Sequence, residues 1–329
     1  MPLFGKGSAG KKIKIFYATD VHGSEKCFRK FLGAGKFYGV NALILGGDLT
    51  GKTIAPIIKQ PDGTYTCKFM DQTRIMKSEE EIATQEEIIR SSGSYPYRTD
   101  VDQMNELAAN PVKVDELFSE LMLQTVQAWV KLTEEKMKDS GIKVYITGGN
   151  DDRQVIESVL KNSNYIIDPE NEVVTLDDSH EMLSSGWSNP TPWQTPREED
   201  EETLGNRLET LASRVKNMTT CIFNLHVPPK DTGIDTAAQL DATVSPPKPV
   251  MEGGEVKLFG AGSSAVKKLI EKHQPLLGLH GHIHESKGTV MLGRTLCINP
   301  GSEYGEGVLR GVLLTLEGDR VKNYQLTSG

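Results

Sequence analysis

The chain is poor in cysteine. Four stand in 329 residues, Cys27, Cys67, Cys221 and Cys297, and none belongs to a CxxC pair. This removes the thiolate signature of zinc sites, so any metal here must use nitrogen and oxygen ligands. Scattered cysteines without a secretory leader point to free thiols and a cytoplasmic setting. Residues 1–12 hold glycine and lysine but no apolar stretch, which predicts a loose tail over 1–11 rather than a signal peptide. No apolar run is long enough to span a bilayer, so no membrane partner is expected. Solenoid repeats are absent, as are the Walker pattern and a complete dinucleotide fingerprint. An excess of positive charge is missing too: 37 basic against 45 acidic residues leave a net charge of −8. That balance disfavours nucleic acid as a partner, and a bound dication would offset part of it. With 37% hydrophobic and 25% charged residues, the composition is that of a soluble globular protein. The length allows two domains or one large α/β domain.

What the chain does contain is a series of short apolar runs, each ending in a polar loop. Residues 12–18 read as a strand and lead into Thr19-Asp20-Val21-His22-Gly23, followed by a helix over 24–32 with Ser24 as its cap. A buried strand over 40–45 ends in Gly46-Gly47-Asp48-Leu49-Thr50-Gly51, where the glycines allow a sharp turn that aims Asp48 at a shared centre. A third strand over 142–147 precedes Gly148-Gly149-Asn150-Asp151-Asp152-Arg153 and a helix from 154. A fourth over 220–225 ends at His226, and a fifth over 275–279 ends in His280-Gly281-His282-Ile283-His284. A sixth over 294–298 leads to Asn299-Pro300-Gly301-Ser302, and a hairpin over 308–326 closes the chain. In open α/β sheets the carboxyl ends of the strands are where sites form. Asp20 and His22, like His282 and His284, are two apart, and in an extended backbone such pairs point to one side.

Residues 53–138 interrupt this series. They predict a hairpin over 54–69 with a Pro61-Asp62-Gly63 turn, a helix over 79–90 and one long amphipathic helix. In that helix Val114, Leu117, Phe118, Leu121, Met122, Thr125, Trp129 and Leu132 fall at spacings of three and four, and its Met and Trp stripe reads as core. The whole is expected to be a hairpin-plus-helices insertion in a single domain spanning 1–329. Strands are expected over 172–176 and 181–186. The Pro-, Asn- and Trp-rich stretch 186–195 fits a functional loop and a plain connector equally. Glu198-Glu199-Asp200-Glu201-Glu202 is expected to open a helix to about 218 with a solvated acidic face. Residues 229–260 read mostly as loop, and Ser263 or Ser264 as the cap of a helix to about 273.

Collected together, the strand-end residues are Asp20, His22, Asp48, Asn150, His226, His282 and His284, which include four of the seven histidines. Two carboxylates, one amide oxygen and four imidazoles suit two borderline divalent ions, manganese, iron, zinc, cobalt or nickel, rather than calcium. Asp48, alone between its neighbours, is the candidate bridge. A metal pair lowers the pKa of a bridging water and clamps the oxygens of an in-line displacement at phosphorus.

Asp20-x-His22, Gly47-Asp48, Gly149-Asn150, His226 and Gly281-His282-x-His284, in this order, resemble the calcineurin-like metallophosphoesterases over about 20–302. The segments 186–193 and 299–302 are similar to a prokaryotic branch of that family. The resemblance implies an α/β chain folded as a four-layer α/β/β/α sandwich of the metallo-dependent phosphatase type. It places Asp20, His22, Asp48 and His284 on one metal and Asp48, Asn150, His226 and His282 on the other, with manganese or iron foremost. One position departs. The family's third motif usually reads Gly-Asn-His followed by an acid, and that histidine protonates the leaving group or stabilises charge on phosphorus. Here Asp151 stands in its place, followed by Asp152 and Arg153. An aspartic acid has an ordinary pKa of about 3.9, and a dication pushes it lower, so Asp151 is expected to orient His226 or a metal-held water. His280 is a candidate proton donor, although a structural strand-end histidine is the better reading. Asn150, Arg153 and Asn189 are candidate substrate contacts, with a surface ion pair as the alternative for Arg153. The expected activity is dinuclear-metal hydrolysis of phosphomonoesters or phosphodiesters by a metal-bridged hydroxide, with good leaving groups or diesters preferred. The substrate would be a small phosphoester or a phosphoprotein. The rival expectation is a scaffold or binding protein that keeps this fold with little catalysis. The oligomeric state is left open.

Overall fold

Residues two apart on a strand share a face, so alternate residues of one strand can serve two different cores. In Lys12–Ala18, Ile13, Ile15 and Tyr17 enter one hydrophobic cluster, while Phe16 and Ala18 enter another. The computed structural model describes residues 12–329, and the expected tail over 1–11 lies outside the described residues. Two six-stranded sheets dominate. The first runs Arg320–Ser328, Arg310–Glu317, Lys12–Ala18, Ala42–Gly46, Lys143–Thr147, Ile166–Ile167. The second runs Gly288–Leu292, Thr295–Asn299, Leu277–Leu279, Ile222–Leu225, Glu181–Ser185, Val173–Thr175.

Their facing sides share one core. Ile13, Ile15, Tyr17, Ile44 and Leu314 of the first sheet cluster with Met182, Ile222, Leu277, Leu279 and Ile298 of the second. The other side of the first sheet packs Phe16, Leu43, Leu45 and Val144 against the helices Glu25–Tyr38, Pro111–Met137 and Val155–Lys161. Trp129 stacks on Phe28 there, with ring centroids 4.0 Å apart and planes 5° from parallel, so the Met and Trp stripe is core. Leu183, Phe223 and Cys297 of the second sheet lie under the helices Glu201–Ala212 and Ser264–His273. The chain is therefore a mixed α/β protein. Within the first sheet Lys12–Ala18, Ala42–Gly46 and Lys143–Thr147 run parallel. In the second, Ile222–Leu225, Leu277–Leu279 and Thr295–Asn299 do the same. Parallel pairing puts the loops after these strands at one edge of each sheet, and those loops carry the candidate residues.

Several expectations need correction. Residues 53–100 form more than a hairpin: Gln72–Met76, Tyr65–Phe69, Thr53–Lys59 and Ser94–Asp100 make a four-stranded sheet with its own cluster around Ile57, Cys67 and Ile82. Ser94–Asp100, with the sequence SYPYRTD, has no apolar alternation to announce it. Residues 229–260 are mostly loop, as expected, but three short strand pairs run through them. Thr236–Ala238 pairs with Leu258–Gly260, Leu240–Asp241 with Lys248–Pro249, and Met251–Glu252 with Glu255–Val256. Strands of two or three residues are too short for a periodicity to register. The acidic run opens its helix, with Glu201 and Glu202 in the first turn, but only Asp200 and Glu202 face solvent freely. Asp200 is the cap, the helix ends at Ala212, and the flanking acids tie loops together. Glu198 accepts from the backbone and hydroxyls of Thr191 and Thr195, while Glu201 reaches Ser263 and the N–H of Ala265. All four cysteines are buried and unpaired. Among the described residues no helix is long and apolar enough to cross a membrane.

One buried cation holds the third polar loop in place. Arg197 is fully buried, and its guanidinium donates to the carbonyl of Asp152 at 2.8 Å and to Glu157 at 2.9 Å. Its own N–H donates to the carbonyl of Asn150 at 3.2 Å. Removing the guanidinium strands these acceptors in a low-dielectric interior. Arg197→Ala is expected to lower the unfolding free energy by roughly 3–5 kcal/mol in denaturant titrations; an unchanged midpoint would show that the loop is held by something else.

Candidate metal centre

The strand-end residues do not continue the extended backbone, and this corrects the reading of the spaced pairs. Asp20, His22, Asp48 and His282 have φ values of 52°, 39°, 48° and 66°. A left-handed conformation costs an ordinary residue roughly 1–2 kcal/mol, and such strain gathers at functional sites when the surroundings enforce it. The enforcement is visible. Asp20 and His22 donate their N–H groups to the carbonyls of Gly47 and Asp48 at 3.0 and 2.9 Å. The N–H of His282 donates to Asp20 at 3.1 Å, and that of Asp151 to Asp48 Oδ1 at 3.0 Å. The buried Asp152 carboxylate accepts N–H groups from Leu49, Thr50 and Gly149 at 2.7–2.9 Å. Asn299 donates to the carbonyl of Ile283 at 2.9 Å, and the Ser302 hydroxyl donates to that of Asp20 at 2.6 Å. Sequence reasoning gave Asp152, Asn299 and Ser302 no role in holding the loops, although all three lie inside the motif stretches.

Three motif glycines are required by close approach. A Cβ at Gly149 would stand 2.1 Å from Asp48 Oδ1, at Gly281 2.3 Å from Asp20 Oδ2, and at Gly47 2.2 Å from His226 Nδ1. Side chains there would occupy the volume now filled by the carboxylates and the imidazole.

The donor atoms converge. Asp20, His22, Asp48 and His284 present ligand atoms within 4.8 Å of one another, and so do Asp48, His226 and His282. Asp48 belongs to both sets, and its Oδ2 lies 3.6 Å from His22 Nε2 and 3.3 Å from His226 Nε2. His284 Nε2 is 3.0 Å from His22 Nε2 and 3.3 Å from Asp20 Oδ1. Ligands at about 2.1 Å from one cation stand roughly 3.0–3.4 Å apart when they subtend 90–110° at it, and three of these four spacings match. Asn150 Oδ1 lies 2.7 Å from His282 Nδ1, while its Nδ2 donates to Thr195 Oγ1 at 2.9 Å, which fixes the amide with its oxygen inward. His226 Nδ1 stands 3.0 Å from the carbonyl of Gly46, which makes it the donor and leaves Nε2 facing Asp48. That Nε2 is buried without a hydrogen-bond partner, as is His22 Nδ1. An orphaned buried imidazole nitrogen within reach of two carboxylates fits a cation ligand.

The electrostatics agree. Burial pushes the Asp20 and Asp48 carboxyls up, but the charge on His226, joined by His284 at Asp20 and by hydrogen bonding to His226 and the charges of His22 and Lys52 at Asp48, outweighs it and holds both well below the usual range. Burial in turn pushes His226 down, and Asp48 and Asp20 overcome it, raising the imidazole to about 10. Burial takes His22 down to about 3 despite Asp48, and His282 to about 4 with help from the His226 charge. The chain alone thus balances two buried carboxylates with a proton on His226, a role a dication would take over while releasing that proton.

The remaining candidates divide. Asp151 is beside the centre, but it faces His22 Nδ1 at 3.8 Å rather than His226, and Lys52 Nζ meets it at 2.6 Å. In the chain without an ion, burial and then the Asp48 charge raise its carboxyl to about 6, against the pull of Lys52. A dication on Asp48 would offset the second of these causes. His280 is not brought to the centre: it is fully buried with Nδ1 2.8 Å from the carbonyl of Leu225, which leaves it no path to a substrate. Arg153 is turned away, bonded to Asp115 at 2.5 and 3.1 Å and to Ser119 at 2.6 Å, with its guanidinium over Phe118. That is the ion-pair alternative. Asn189 donates to the carbonyl of Ala261 at 3.4 Å and lines a cavity of about 750 Å³ that opens onto Asp48, Asn150, His282 and His284. Lys52, which also lines that cavity, was missed; a lone lysine after Gly51 carries no signal until Asp151 is seen to meet it.

No protein-family model matches the chain. It is 27% identical over 157 residues to MJ1162, an uncharacterised protein of Methanocaldococcus jannaschii, covering 47% of this chain and 62% of that one. The chain thus spans less than two thirds of the curated relative it matches. The crystal structure of TT1561 of Thermus thermophilus is similar at 14% identity with a TM-score of 0.52, over 97% of this chain and 99% of that one, a likeness of fold. YfcE, a phosphoesterase from E. coli, aligns at 11% identity over 95% of this chain and 98% of that one, but its TM-score of 0.31 is too low to argue from.

Gly149→Ala tests the close packing around Asp48. The added methyl is expected to displace the carboxylate and weaken manganese binding by roughly tenfold or more, read by calorimetry, while circular dichroism stays native. Unaltered affinity would mean that Asp48 holds no ion.

Proposed function

We propose that this chain is a dinuclear-metal phosphoester hydrolase built on a four-layer α/β/β/α sandwich. The observation that supports it is the pair of donor sets meeting at Asp48, with one oxygen of that carboxylate facing imidazoles of both sets. Asp20, His22, Asp48 and His284 would hold one dication, and Asp48, Asn150, His226 and His282 the other. Four imidazoles with carboxylate and amide oxygens suit manganese or iron, with zinc, cobalt or nickel also accommodated. When bound, such a pair supplies the lowered water pKa and the positive charge that displacement at phosphorus requires.

The chain's own residues do the rest. Asp48 holds the two sets at a fixed separation, and Asp152 fixes the loop that carries it. Asn150 is oriented by Thr195 so that its oxygen faces the centre. Lys52, half exposed and held by Asp151, presents a cation to the cavity. Burial lowers the Lys52 pKa, but the Asp151 and Asp48 charges overcome that and raise it, so the ammonium keeps its proton at neutral pH. It can attract phosphoryl oxygens but is a weak proton donor to a departing alkoxide. Esters with good leaving groups, or diesters, are therefore the favoured small-molecule substrates.

Two measurements check this reading. With manganese added, p-nitrophenyl phosphate esters are expected to turn over faster than alkyl phosphates, and equal rates would contradict the assigned role of Lys52. Asp48→Asn is expected to cost more activity than the roughly 10–100-fold typical of residues outside the ligand set. If the wild type binds metal and hydrolyses no member of a phosphoester panel, the fold serves as a scaffold instead.

A further inference from the structure

The cavity over the centre is far larger than a phosphoryl group needs. Its volume of about 750 Å³ falls in the range of about 300–1,000 Å³ that encloses a whole drug-sized ligand. Its lining combines polar Asp48, Lys52 and His282 with apolar Trp193, Phe259, Leu240 and Pro190. Trp193 is 59% and Phe259 42% exposed, and among the described residues neither ring packs on another aromatic. Large rings left bare at a pocket rather than in the core call for a ligand face.

These walls are built, not loose. Glu198 ties Thr191 to Thr195 under the Trp193 loop. The buried Asp235 carboxylate accepts N–H groups from Asp231, Thr232, Gly233 and Gly262 at 2.7–3.1 Å, anchoring both ends of the ribbon that carries Leu240 and Phe259. Asn189 donates to the carbonyl of Ala261 and joins the two walls. Lys230, at the same cavity, adds a second cation.

We infer that the substrate is a small phosphoester whose ester group is a flat aromatic ring system, held against Trp193 and Phe259 while the phosphoryl group meets Asp48, Lys52 and His282. This rests on the reading of the site as a phosphoester centre, and the test separates the two. Binding of naphthylmethylphosphonate and of methylphosphonate to the manganese-loaded protein would be measured by calorimetry, for the wild type and for Trp193→Ala and Phe259→Ala. The aromatic probe should bind at least about tenfold more tightly than the methyl probe. Each variant should lose roughly threefold to tenfold of that margin, with methylphosphonate affinity and metal content unchanged. Equal affinity of the two probes in the wild type, or equal weakening of both in the variants, would overturn the inference and leave the phosphoester centre standing. Failure of both probes to bind would overturn the inference together with the centre.

Discussion

Two carboxylates buried a few ångströms from the same imidazoles set the terms for this structure. Asp20 is 1% and Asp48 2% exposed, and His226 Nε2 lies 3.8 Å from one and 3.3 Å from the other. Burying like charges together is costly unless positive charge joins them. The chain uses four left-handed residues and three glycines to bring the pair together, and those are concessions that a merely structural polar cluster would not require. A protonated His226 is the compensation the chain can make by itself. Its spacing of 3.3 Å from Asp48 is that of two ligands about one ion.

The two sheets serve this convergence. Each ligand follows a parallel strand whose side chains are buried on both faces, so the strands are rigid and the loops at their ends inherit fixed positions. Behind the loops a further layer of polar groups, the buried Asp152, Arg197 and Asn299 and the partly buried Ser302, uses hydrogen bonds to backbone atoms to set the direction of each ligand. The excursions from this frame do a different job. The segments 186–195 and 229–260 line the cavity beside the centre.

Much of this was legible in the chain. The seven strand-end residues stand out because each lies within a few positions of a short apolar run, and a buried parallel strand is among the clearest patterns a sequence offers. Their meeting place follows from the strand-end rule for α/β sheets. The local geometry was not legible. The left-handed turns at Asp20 and His282 depend on hydrogen bonds between loops far apart in sequence, and spacing alone suggests extended backbone. Arg153 and Arg197 could not be told apart as surface and buried cations, because nothing near either names its partner. Lys52 was invisible for the same reason, since its partner Asp151 comes from another strand end. The cavity wall formed by 229–260 was missed because its strands are two or three residues long.

The central claim is that these side chains hold two ions with Asp48 between them. The most direct test is a crystal structure of the protein grown with manganese, with anomalous differences collected at the metal edge. Two peaks about 3.5–4 Å apart, with an Asp48 oxygen between them and Asp20 and His226 on opposite ions, are the expected result. A map with no peak at this position, while Asp48, His22 and His226 keep the arrangement described, would contradict the account.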